Sequence, residues 1–402
     1  MGKKDVADLV VVGAGTVGGW ASWFARRSGV KRVVVLERDL VGRGASSRAA
    51  GVVRAQGGTP ETVALGSWSI EFYRGQRERL GTDSGFHELG YLILAVTKAD
   101  ERAGRERVAM QRDAGLDVRW VDAAEAVALN PTLSLEGHRG GSYAASDGCI
   151  DPNANVRAYS LAMQRAKVEV RERTAFTGLR LSKRGVVVGV DTTAGKIATG
   201  RVLLAGGPQL RAVGKLAGLR IPVGGARHQV AVSEPHEAFA VQRMPMVFDL
   251  GVGLYWRLEE GGLLWGMSNP TEEPGPARAI DRPYLQKMQR RLHHLVPTTR
   301  GLGIKKVWAA TIEYSPDHLP IVGPAITPRG EPIDGLSVAS AVGHGMMWGP
   351  AVAKIAADLA MEGSTKVTDV SNFGLDRFDA VGRSRFYDPI ALPFPADLDD
   401  ED

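Results

Sequence analysis

Residues 8–37 of this 402-residue chain read DLVVVGAGTVGGWASWFARRSGVKRVVVLE, and this stretch decides the fold. Its two apolar runs, at 8–12 and 32–37, are short and rich in valine, as in strands that are buried in a parallel sheet. Between the two runs, a glycine turn leads into a helical pattern at 17–28. The order of strand, glycine turn, helix and strand predicts a βαβ unit.

The glycine turn is the segment Gly13-Ala14-Gly15-Thr16-Val17-Gly18. In a unit of this kind the first glycine permits a tight turn, the second lets backbone N–H groups approach a pyrophosphate, and the third lets the helix pack close to the strand. The positive end of the helix dipole faces the phosphates. Glu37 ends the second strand, where its carboxylate can accept hydrogen bonds from an adenosine ribose. The pattern predicts that a dinucleotide binds at Gly13, Gly15, Thr16, Val17, Gly18 and Glu37.

A segment of small residues, GASSRAAG at 44–51, follows soon after the acidic end of the second strand. Small residues let the backbone pass close to a bulky, flat cofactor, and Ser46 and Ser47 offer hydroxyls to its phosphates and ribityl chain. Alone, the segment is equally consistent with a polar loop. After a dinucleotide-binding turn, it favours FAD over NAD.

Composition and charge exclude several classes of protein. The net charge is +5, but Lys and Arg are scattered and form no basic stripe with aromatic residues between them, so we expect no nucleic-acid partner. Asp5 and Asp8 interrupt the apolar N-terminal stretch, and no window of about 18 apolar residues exists. We therefore expect a soluble, cytoplasmic chain with neither a signal peptide nor a membrane span.

No metal site or disulfide is predicted. Cys149 is the only cysteine, which excludes an intrachain disulfide and a multi-cysteine metal site, and we expect it to be a small core residue. His293 and His294 are adjacent on a predicted helix at 283–295, so their side chains point in different directions.

Segments with nucleotide-domain character alternate with strand-rich segments along the rest of the chain. Residues 226–324 carry short strands separated by turns, whereas 336–345 indicate a strand and a glycine turn before a helix at 346–362. We predict an α/β fold in which a Rossmann-type FAD-binding domain is interleaved with an α+β substrate domain built on a mixed, largely antiparallel sheet. The predicted FAD-binding segments are 1–85, 145–225 and 325–390, the predicted substrate-domain segments are 86–144 and 226–324, and an acidic tail follows at 391–402.

With these motifs in place, the chain resembles the D-amino-acid-oxidase superfamily of flavoenzymes, nearest to sarcosine oxidases, glycine oxidases and dimethylglycine dehydrogenases. The resemblance covers nearly the full length, and the order and spacing of its pieces make it specific. Besides the glycine turn, Glu37 and GASSRAAG, it rests on DGCIDP at 147–152, LLAGGP at 203–208, YWRLEEGGLLWG at 255–266, SPDHLPIVGP at 315–324, ASAVGHGMMWGPAVAKI at 339–355 and NFGLDRF at 372–378.

The resemblance implies one FAD, held without a covalent bond. Relatives tether the flavin through a cysteine that aligns with Ala310 or a histidine that aligns with Arg48, and neither nucleophile is present here. The C-terminal glycine turn is expected to bring a second helix N-terminus to the pyrimidine edge of the flavin, where negative charge develops after hydride transfer. The further cofactor residues predicted are Arg38, Ala45, Ser46, Ser47, Arg48, Gly51, Phe176, Gly206, Gly343, His344, Gly345, Met346 and Met347.

The chemistry that the resemblance implies is removal of a hydride from the carbon next to nitrogen of an amine or N-substituted amino acid, giving an imine that hydrolyses. Two alternatives remain open: an FAD-dependent 2-hydroxy-acid dehydrogenase, and a flavin-binding subunit of a hetero-oligomeric oxidase. Leu264 and Met347 replace two lysines of monomeric sarcosine oxidase, one associated with oxygen activation and one with the substrate carboxylate. The electron acceptor, oxygen or an artificial or protein acceptor, and a homo- or hetero-oligomeric state therefore stay open.

The predicted catalytic residues are Arg54, Tyr255, Arg257 and His344. A guanidinium can hold a carboxylate by two parallel hydrogen bonds, and surface salt bridges are the alternative for both arginines. His344 is also consistent with a solvated loop histidine. Glu313 and His318 are candidates for proton handling or for polar structural contacts. An apolar pocket lining, or ordinary core packing, is expected of Tyr255, Trp256, Trp265, Met267, Met346, Met347 and Trp348.

Overall fold

The structure is a computed structural model, which describes residues 5–277, 279–327, 329–379 and 381–390. The predicted acidic tail at 391–402 lies outside the described residues. The helices are α1 Thr16–Arg27, α2 Pro60–Arg74, α3 Gln76–Leu80, α4 Lys98–Asp113, α5 Ala123–Leu129, α6 Pro152–Arg165, α7 Leu210–Leu216, α8 Arg282–Leu295 and α9 Gly349–Glu362. The strands are β1 Leu9–Val12, β2 Val33–Leu36, β3 Val52–Val53, β4 His87–Glu88, β5 Tyr91–Ala95, β6 Arg119–Val121, β7 Gly140–Ala144, β8 Gly148–Cys149, β9 Glu169–Arg171, β10 Phe176–Leu181, β11 Val187–Thr192, β12 Gly195–Ala198, β13 Val202–Leu204, β14 Gly224–Ser233, β15 Met246–Asp249, β16 Leu254–Glu259, β17 Gly262–Met267, β18 Ile304–Tyr314, β19 Ile321–Ile326 and β20 Pro332–Ser340.

The predicted βαβ unit forms the centre of a six-stranded sheet with the order β19-β20-β13-β1-β2-β9. Strand β1 pairs in parallel with β2 and β13, and β2 with β9 and β13 with β20 are also parallel. All four residues of β1 and of β2 are buried, as their unbroken apolar sequences predicted. Helix α1 packs against α6 and α9. These findings confirm the Rossmann-type part of the prediction.

A second sheet of eight strands has the order β18-β14-β17-β16-β15-β5-β7-β6. Its strands pair antiparallel except for β5 with β15, which are parallel. The sheet is therefore mixed and largely antiparallel, as predicted for the second domain. Within the described parts of the chain, no helix combines the length and the apolar content that a membrane crossing requires.

Three features differ from the sequence-based expectation. Strand β19 lies antiparallel at the edge of the six-stranded sheet, so the predicted boundary between 324 and 325 falls inside a strand. Strand β10 was not predicted, and it forms a small sheet with β11 and β12. Helix α9 begins at Gly349 rather than at 346, because Pro350 suits a first helical turn and the residues before it form turns. The six domain segments themselves remain predictions.

Candidate active site

A cavity of about 440 Å³ is lined by loops and strands of both large sheets. Its wall is formed by the turn after β1, by residues 42–46 and 48–51, by the C-terminal glycine turn and by side chains of the eight-stranded sheet. The predicted cofactor residues that line it are Gly13, Gly15, Thr16, Val17, Glu37, Arg38, Ala45, Ser46, Arg48, Gly51, Gly206, Gly343, His344, Gly345, Met346 and Met347.

Close packing requires glycine at two positions of the first turn. Gly13 has a φ of 105°, and a Cβ atom there would lie 2.5 Å from the carbonyl oxygen of Ala205. A Cβ atom at Gly18 would lie 2.0 Å from the carbonyl oxygen of Gly13. The first and third glycines therefore allow β1, α1 and the end of β13 to meet, and Gly18 acts in packing rather than as part of the cavity wall.

The carboxylate of Glu37 is held at the end of β2. Its Oε2 accepts a hydrogen bond from the Ala14 N–H at 3.0 Å, and its Oε1 accepts one from the Asp39 N–H at 2.9 Å. These two contacts join the acidic residue to the glycine turn and fix its orientation. The carboxylate thus lines the cavity beside the turn, in the arrangement that binds the ribose of a dinucleotide.

The start of α1 is connected to the C-terminal glycine turn through Asn155, which sequence reasoning missed. The Thr16 N–H donates to Ser46 Oγ at 3.0 Å, and Thr16 Oγ1 accepts from Asn155 Nδ2 at 3.2 Å. Asn155 Oδ1 accepts from Trp20 Nε1 at 3.2 Å, while its Nδ2 lies 3.6 Å from Met346 Sδ. The only sequence signal was a polar residue on the face of α6 that also carries Ala158 and Ala162.

This set of groups fits FAD. The glycine turn and the first turn of α1 line the cavity, Glu37 stands at the end of β2 where a dinucleotide site binds the adenosine ribose, and a second glycine turn lines the same cavity. Ala310 and Arg48, the two positions at which relatives carry a tethering nucleophile, both line this cavity. Non-covalent binding remains the prediction.

Two predicted cofactor residues besides Gly18 lie elsewhere. Phe176 is buried in β10, in the apolar cluster that contains Val34 and Leu36 of β2. Ser47 donates its backbone N–H to the carbonyl of Gly42 at 3.2 Å, inside the loop that lines the cavity. The small-residue segment therefore contributes Ser46 rather than Ser47 to the wall.

The end of the cavity formed by the eight-stranded sheet holds a pair of aromatic side chains, His228 and Tyr255. His228 Nε2 lies 2.7 Å from Tyr255 Oη, and the two rings stack at 9°. Burial lowers the pKa of His228 to about 4 and raises the pKa of Tyr255 above its ordinary value, so both groups are neutral near pH 7. Tyr91 and Phe248 line the cavity with them.

Arg54 lines the same end, as predicted, and is only 3% exposed. Its Nη1 donates to the carbonyl of Gln56, and its Nη2 donates to the carbonyl of Ile390 at 3.1 Å. A guanidinium has five N–H donors, so these contacts orient the group and leave donors for a ligand. Sequence reasoning missed His228, Tyr91, Phe248 and Ile390, which carried only the alternating or apolar patterns of ordinary buried residues.

The prediction that Arg257 is catalytic is not supported by its position. Arg257 is buried, but its Nε donates to the carbonyl of Ala50 at 2.7 Å and its Nη1 contacts Glu259 and the carbonyl of Leu258. The guanidinium therefore fastens the loop at 44–51 to β16 and lies outside the cavity wall. Its contacts are those of a structural arginine.

Fewer aromatic and methionine side chains line the cavity than the sequence analysis considered. Tyr255, Met346 and Met347 line the cavity. Trp256, Trp265 and Met267 pack in the core on the opposite side of the eight-stranded sheet, because neighbouring residues of a strand point to opposite faces. Trp348 is fully buried against α1 and α9 in the core of the six-stranded sheet.

The turn after β20 carries His344, which lines the cavity. Burial lowers the pKa of His344 to about 3, with Arg54 and His318 adding to the effect, so the imidazole is neutral. Its Nδ1 lies 3.1 Å from the carbonyl oxygen of Val342. His318 is buried outside the cavity wall, and burial lowers its pKa to about 4.

Glu313 of β18 is a buried acid in the cavity wall. Its Oε2 has no hydrogen-bond partner among the described residues. Burial raises the pKa of Glu313 to about 7, against the opposing effect of Ser340 and of the backbone N–H groups of Gly343 and Val342. Cys149 is buried away from the cavity, and in the described ranges no three His, Cys, Asp or Glu side chains gather as a metal site would need.

Comparisons with known proteins agree with this geometry. The chain is 27% identical over 391 residues to 4-methylaminobutanoate oxidase (formaldehyde-forming) of Paenarthrobacter nicotinovorans, covering 94% of this chain and 46% of that protein. It is 24% identical over 381 residues to the sarcosine oxidase subunit beta of Rhodobacter capsulatus, covering 93% of this chain and 89% of that subunit. The crystal structure of glycine oxidase from Geobacillus kaustophilus superposes with a TM-score of 0.79 at 26% identity, covering 92% of this chain and 99% of that one.

The chain spans less than half the length of several curated relatives that it matches. Its own match to a family is nearly complete. The model of the family described as DAO, FAD dependent oxidoreductase, matches residues 8–359. The cavity, the glycine turn with Glu37 and this match together show that the chain belongs to the DAO family of FAD-dependent oxidoreductases.

Proposed function

We propose that the protein oxidises the carbon next to nitrogen of a secondary amine or N-substituted amino acid, with FAD as hydride acceptor, giving an imine that water hydrolyses. The observation that carries this proposal is the placement of the buried Arg54 guanidinium and the neutral His228–Tyr255 pair in one cavity with the flavin-binding turn. The names of the relatives, which include an N-methylamino-acid oxidase and a sarcosine oxidase subunit, support this substrate class.

Arg54 would bind the carboxylate of such a substrate. Its two backbone contacts hold the guanidinium at the cavity wall, and the planar group matches a carboxylate in shape and charge. A bound carboxylate next to a fixed cation orients the rest of the molecule, and with it the carbon that loses hydride.

The His228–Tyr255 pair would hold the substrate nitrogen as a neutral amine, which binds after its proton has left to solvent. An amine must be unprotonated before its nitrogen lone pair can help the hydride to leave. A neutral histidine and a neutral tyrosine, hydrogen-bonded to each other and shielded from water, offer a hydrogen-bond acceptor to the amine N–H at the cavity wall. The positive charge of Arg54 in the same cavity also disfavours a cationic amine there.

Bound FAD would supply the hydride acceptor, a chemistry that the side chains of the protein lack. Residues 345–347 would contribute backbone N–H groups, near the N-terminus of α9, to the part of the cofactor where negative charge develops. Tyr73 fixes this turn by donating its hydroxyl to the carbonyl of Met346 at 2.8 Å.

The test is the visible spectrum of the flavin-loaded protein without oxygen, recorded while pooled secondary amines and then pooled 2-hydroxy acids are added. Bleaching by the amine pool alone supports the proposal, and bleaching by the hydroxy-acid pool alone replaces it with 2-hydroxy-acid oxidation. The speed at which the colour returns in air then separates an oxidase from a dehydrogenase. Leu264, at the position of an oxygen-activating lysine in relatives, leads us to expect slow return.

A second candidate function is that of a flavin-binding subunit in a larger oxidase. The similarity to a sarcosine oxidase subunit beta over 93% of the chain favours it. Turnover of an amine by the isolated chain with an artificial electron acceptor would contradict this candidate, whereas bound flavin that no pool reduces would support it. Cytoplasmic location and the oligomeric state remain predictions.

A further inference from the structure

Ile390, at the end of the described chain, lies in the wall of the cavity rather than on the surface. Its exposed fraction is 0%, and it packs in one apolar cluster with Tyr91, Phe248 and Tyr255. Its carbonyl oxygen accepts the hydrogen bond from Arg54 Nη2 at 3.1 Å. One residue therefore gives this end of the cavity both an apolar contact and a polar contact.

The segment at 387–390 is held in place by its own hydrogen bonds. The Asp388 N–H donates to the carbonyl of Asp317 at 3.0 Å, and the Ile390 N–H donates to Asp388 Oδ1 at 2.9 Å. Asp317 is in turn fixed by an ion pair with Arg377, whose Nε lies 2.7 Å from its Oδ2. These contacts define where the Ile390 carbonyl and side chain sit.

Asp388 adds an electrostatic connection to the same end of the cavity. Its carboxyl is fully buried, and it interacts with the positive charges of Arg54 and Arg107, which oppose the rise in its pKa that burial causes. Because the segment hydrogen-bonds to Arg54 through a carbonyl and also interacts with it electrostatically through a carboxyl, moving the segment would release the guanidinium from its present orientation. The position of Arg54 thus depends on this segment as well as on Gln56.

We propose that Ile390 is a specificity-determining residue: its carbonyl orients the Arg54 guanidinium, and its side chain limits the size of the group that is attached to a carboxylate bound there. The inference rests on the proposed function in one respect, which is that Arg54 binds a carboxylate. It goes further by assigning the size limit to one residue far along the chain from the other wall residues.

The inference can be tested by ligand binding, without turnover. Acetate, benzoate and 2-naphthoate share a carboxylate, differ in bulk and carry no amine to oxidise. Their dissociation constants are measured from the change in the visible spectrum of the flavin-loaded full-length protein. In Ile390→Ala we expect 2-naphthoate to gain at least roughly tenfold in affinity relative to acetate, because three carbon atoms leave the wall. In Ile390→Phe we expect the affinity for benzoate to fall by a similar factor relative to the affinity for acetate.

Leu89→Ala is the matched control. Leu89 is buried in the same apolar cluster but does not line the cavity, so its truncation should lower thermal stability and leave the affinity ratios unchanged. Ratios that stay constant in both Ile390 variants, or carboxylates that leave the wild-type spectrum unaltered, would overturn the inference. Because the probes are not oxidised, a flavin that amines fail to reduce would contradict the proposed function while leaving the size limit measurable.

Discussion

His228 and Tyr255 form their 2.7 Å contact across a strand that separates them in the sheet. His228 belongs to β14 and Tyr255 to β16, and β17 runs between these strands. Tyr255 is paired with Gly266 of β17, where a Cβ atom would lie 2.3 Å from the tyrosine hydroxyl oxygen. The missing side chain at Gly266 is what lets the tyrosine hydroxyl reach the histidine.

Tyr255→Phe is expected to slow flavin reduction by the amine substrate roughly 10- to 100-fold, since it removes the hydroxyl that hydrogen-bonds to His228 at the cavity wall. The rate is measured by anaerobic stopped-flow absorbance. Tyr143→Phe is the control, because Tyr143 lies on β7 outside the cavity and loses the same hydroxyl. Equal rates in wild-type and Tyr255→Phe protein would contradict a role for the pair in holding the neutral amine.

Gly266→Ala is expected to break the pair while both of its residues are kept, because the new Cβ atom would clash with the Tyr255 hydroxyl and the adjoining ring carbon and displace the tyrosine. The reduction rate should fall about as far as in Tyr255→Phe. The double variant should show little further loss, because both changes remove one interaction. Losses that multiply in the double variant would show that Gly266 and Tyr255 act independently.

Arg54→Lys is expected to weaken binding of a substrate carboxylate roughly 10- to 100-fold, since an ammonium cannot replace the planar guanidinium or its two backbone contacts. The dissociation constant is obtained from the substrate dependence of flavin reduction. Arg257→Lys is the matched control, because that buried arginine does not itself line the cavity and its guanidinium contacts Ala50 and Glu259. If the carboxylate bound more weakly to Arg257→Lys and with unchanged affinity to Arg54→Lys, the carboxylate site would have to be assigned to Arg257 instead of Arg54.

Local patterns were sufficient to predict the elements that position the cofactor. The unit β1–α1–β2 is encoded by adjacent apolar runs and glycines, so its bounds differ from prediction by a residue or two. Strand β10 was missed because its sequence, FTGLRL, contains a glycine and is mostly half-buried or exposed. Its pairing with β11, rather than its own pattern, makes it a strand.

Long-range pairing explains the site residues that the sequence did not reveal. Arg54 and Ile390 are 336 positions apart, Asn155 and Met346 are 191 apart, and both contacts depend on how distant elements meet. Glycine turns could be predicted because their conformation is a local property. The substrate end of the cavity could not be predicted, because the sequence around a histidine in a strand of alternating pattern does not indicate which residue of another strand it contacts.

Gly13→Ala tests whether the first glycine is required by packing or only by its backbone conformation. Gly29 offers the comparison, since both glycines have positive φ, 105° and 97°, but a Cβ atom at Gly29 meets nothing within 4 Å. Gly29→Ala should cost about 1 kcal/mol of stability from conformational strain. Gly13→Ala should cost several kcal/mol more and abolish flavin retention, because its Cβ atom meets the Ala205 carbonyl. Flavin content after gel filtration and thermal unfolding measure both effects, and equal losses in the two variants would exclude a packing role.

Glu313 should make stability depend on pH near neutrality. An acid whose pKa is higher in the folded protein than its ordinary value of 4.5 binds its proton more tightly when folded. Its stabilising contribution is therefore fully present below pH 4.5 and is lost as the pH rises through about 7, where the folded carboxyl ionises without a partner for Oε2. The Glu313→Gln variant has no carboxyl to ionise and therefore does not lose this contribution. The free energy of unfolding of the variant minus that of wild type should rise by up to about 3 kcal/mol between pH 5 and pH 8.

Urea unfolding of the flavin-loaded proteins at several pH values measures this difference. Glu136→Gln, a change at an exposed glutamate, is the control and should give a difference that does not vary with pH. The absorbance maximum of the bound flavin provides a second measurement, because ionising an acid in the cavity wall changes the field that the cofactor experiences. A titration with a midpoint near pH 7 in wild type that persists in Glu313→Gln would assign the ionisation to another group in the cavity.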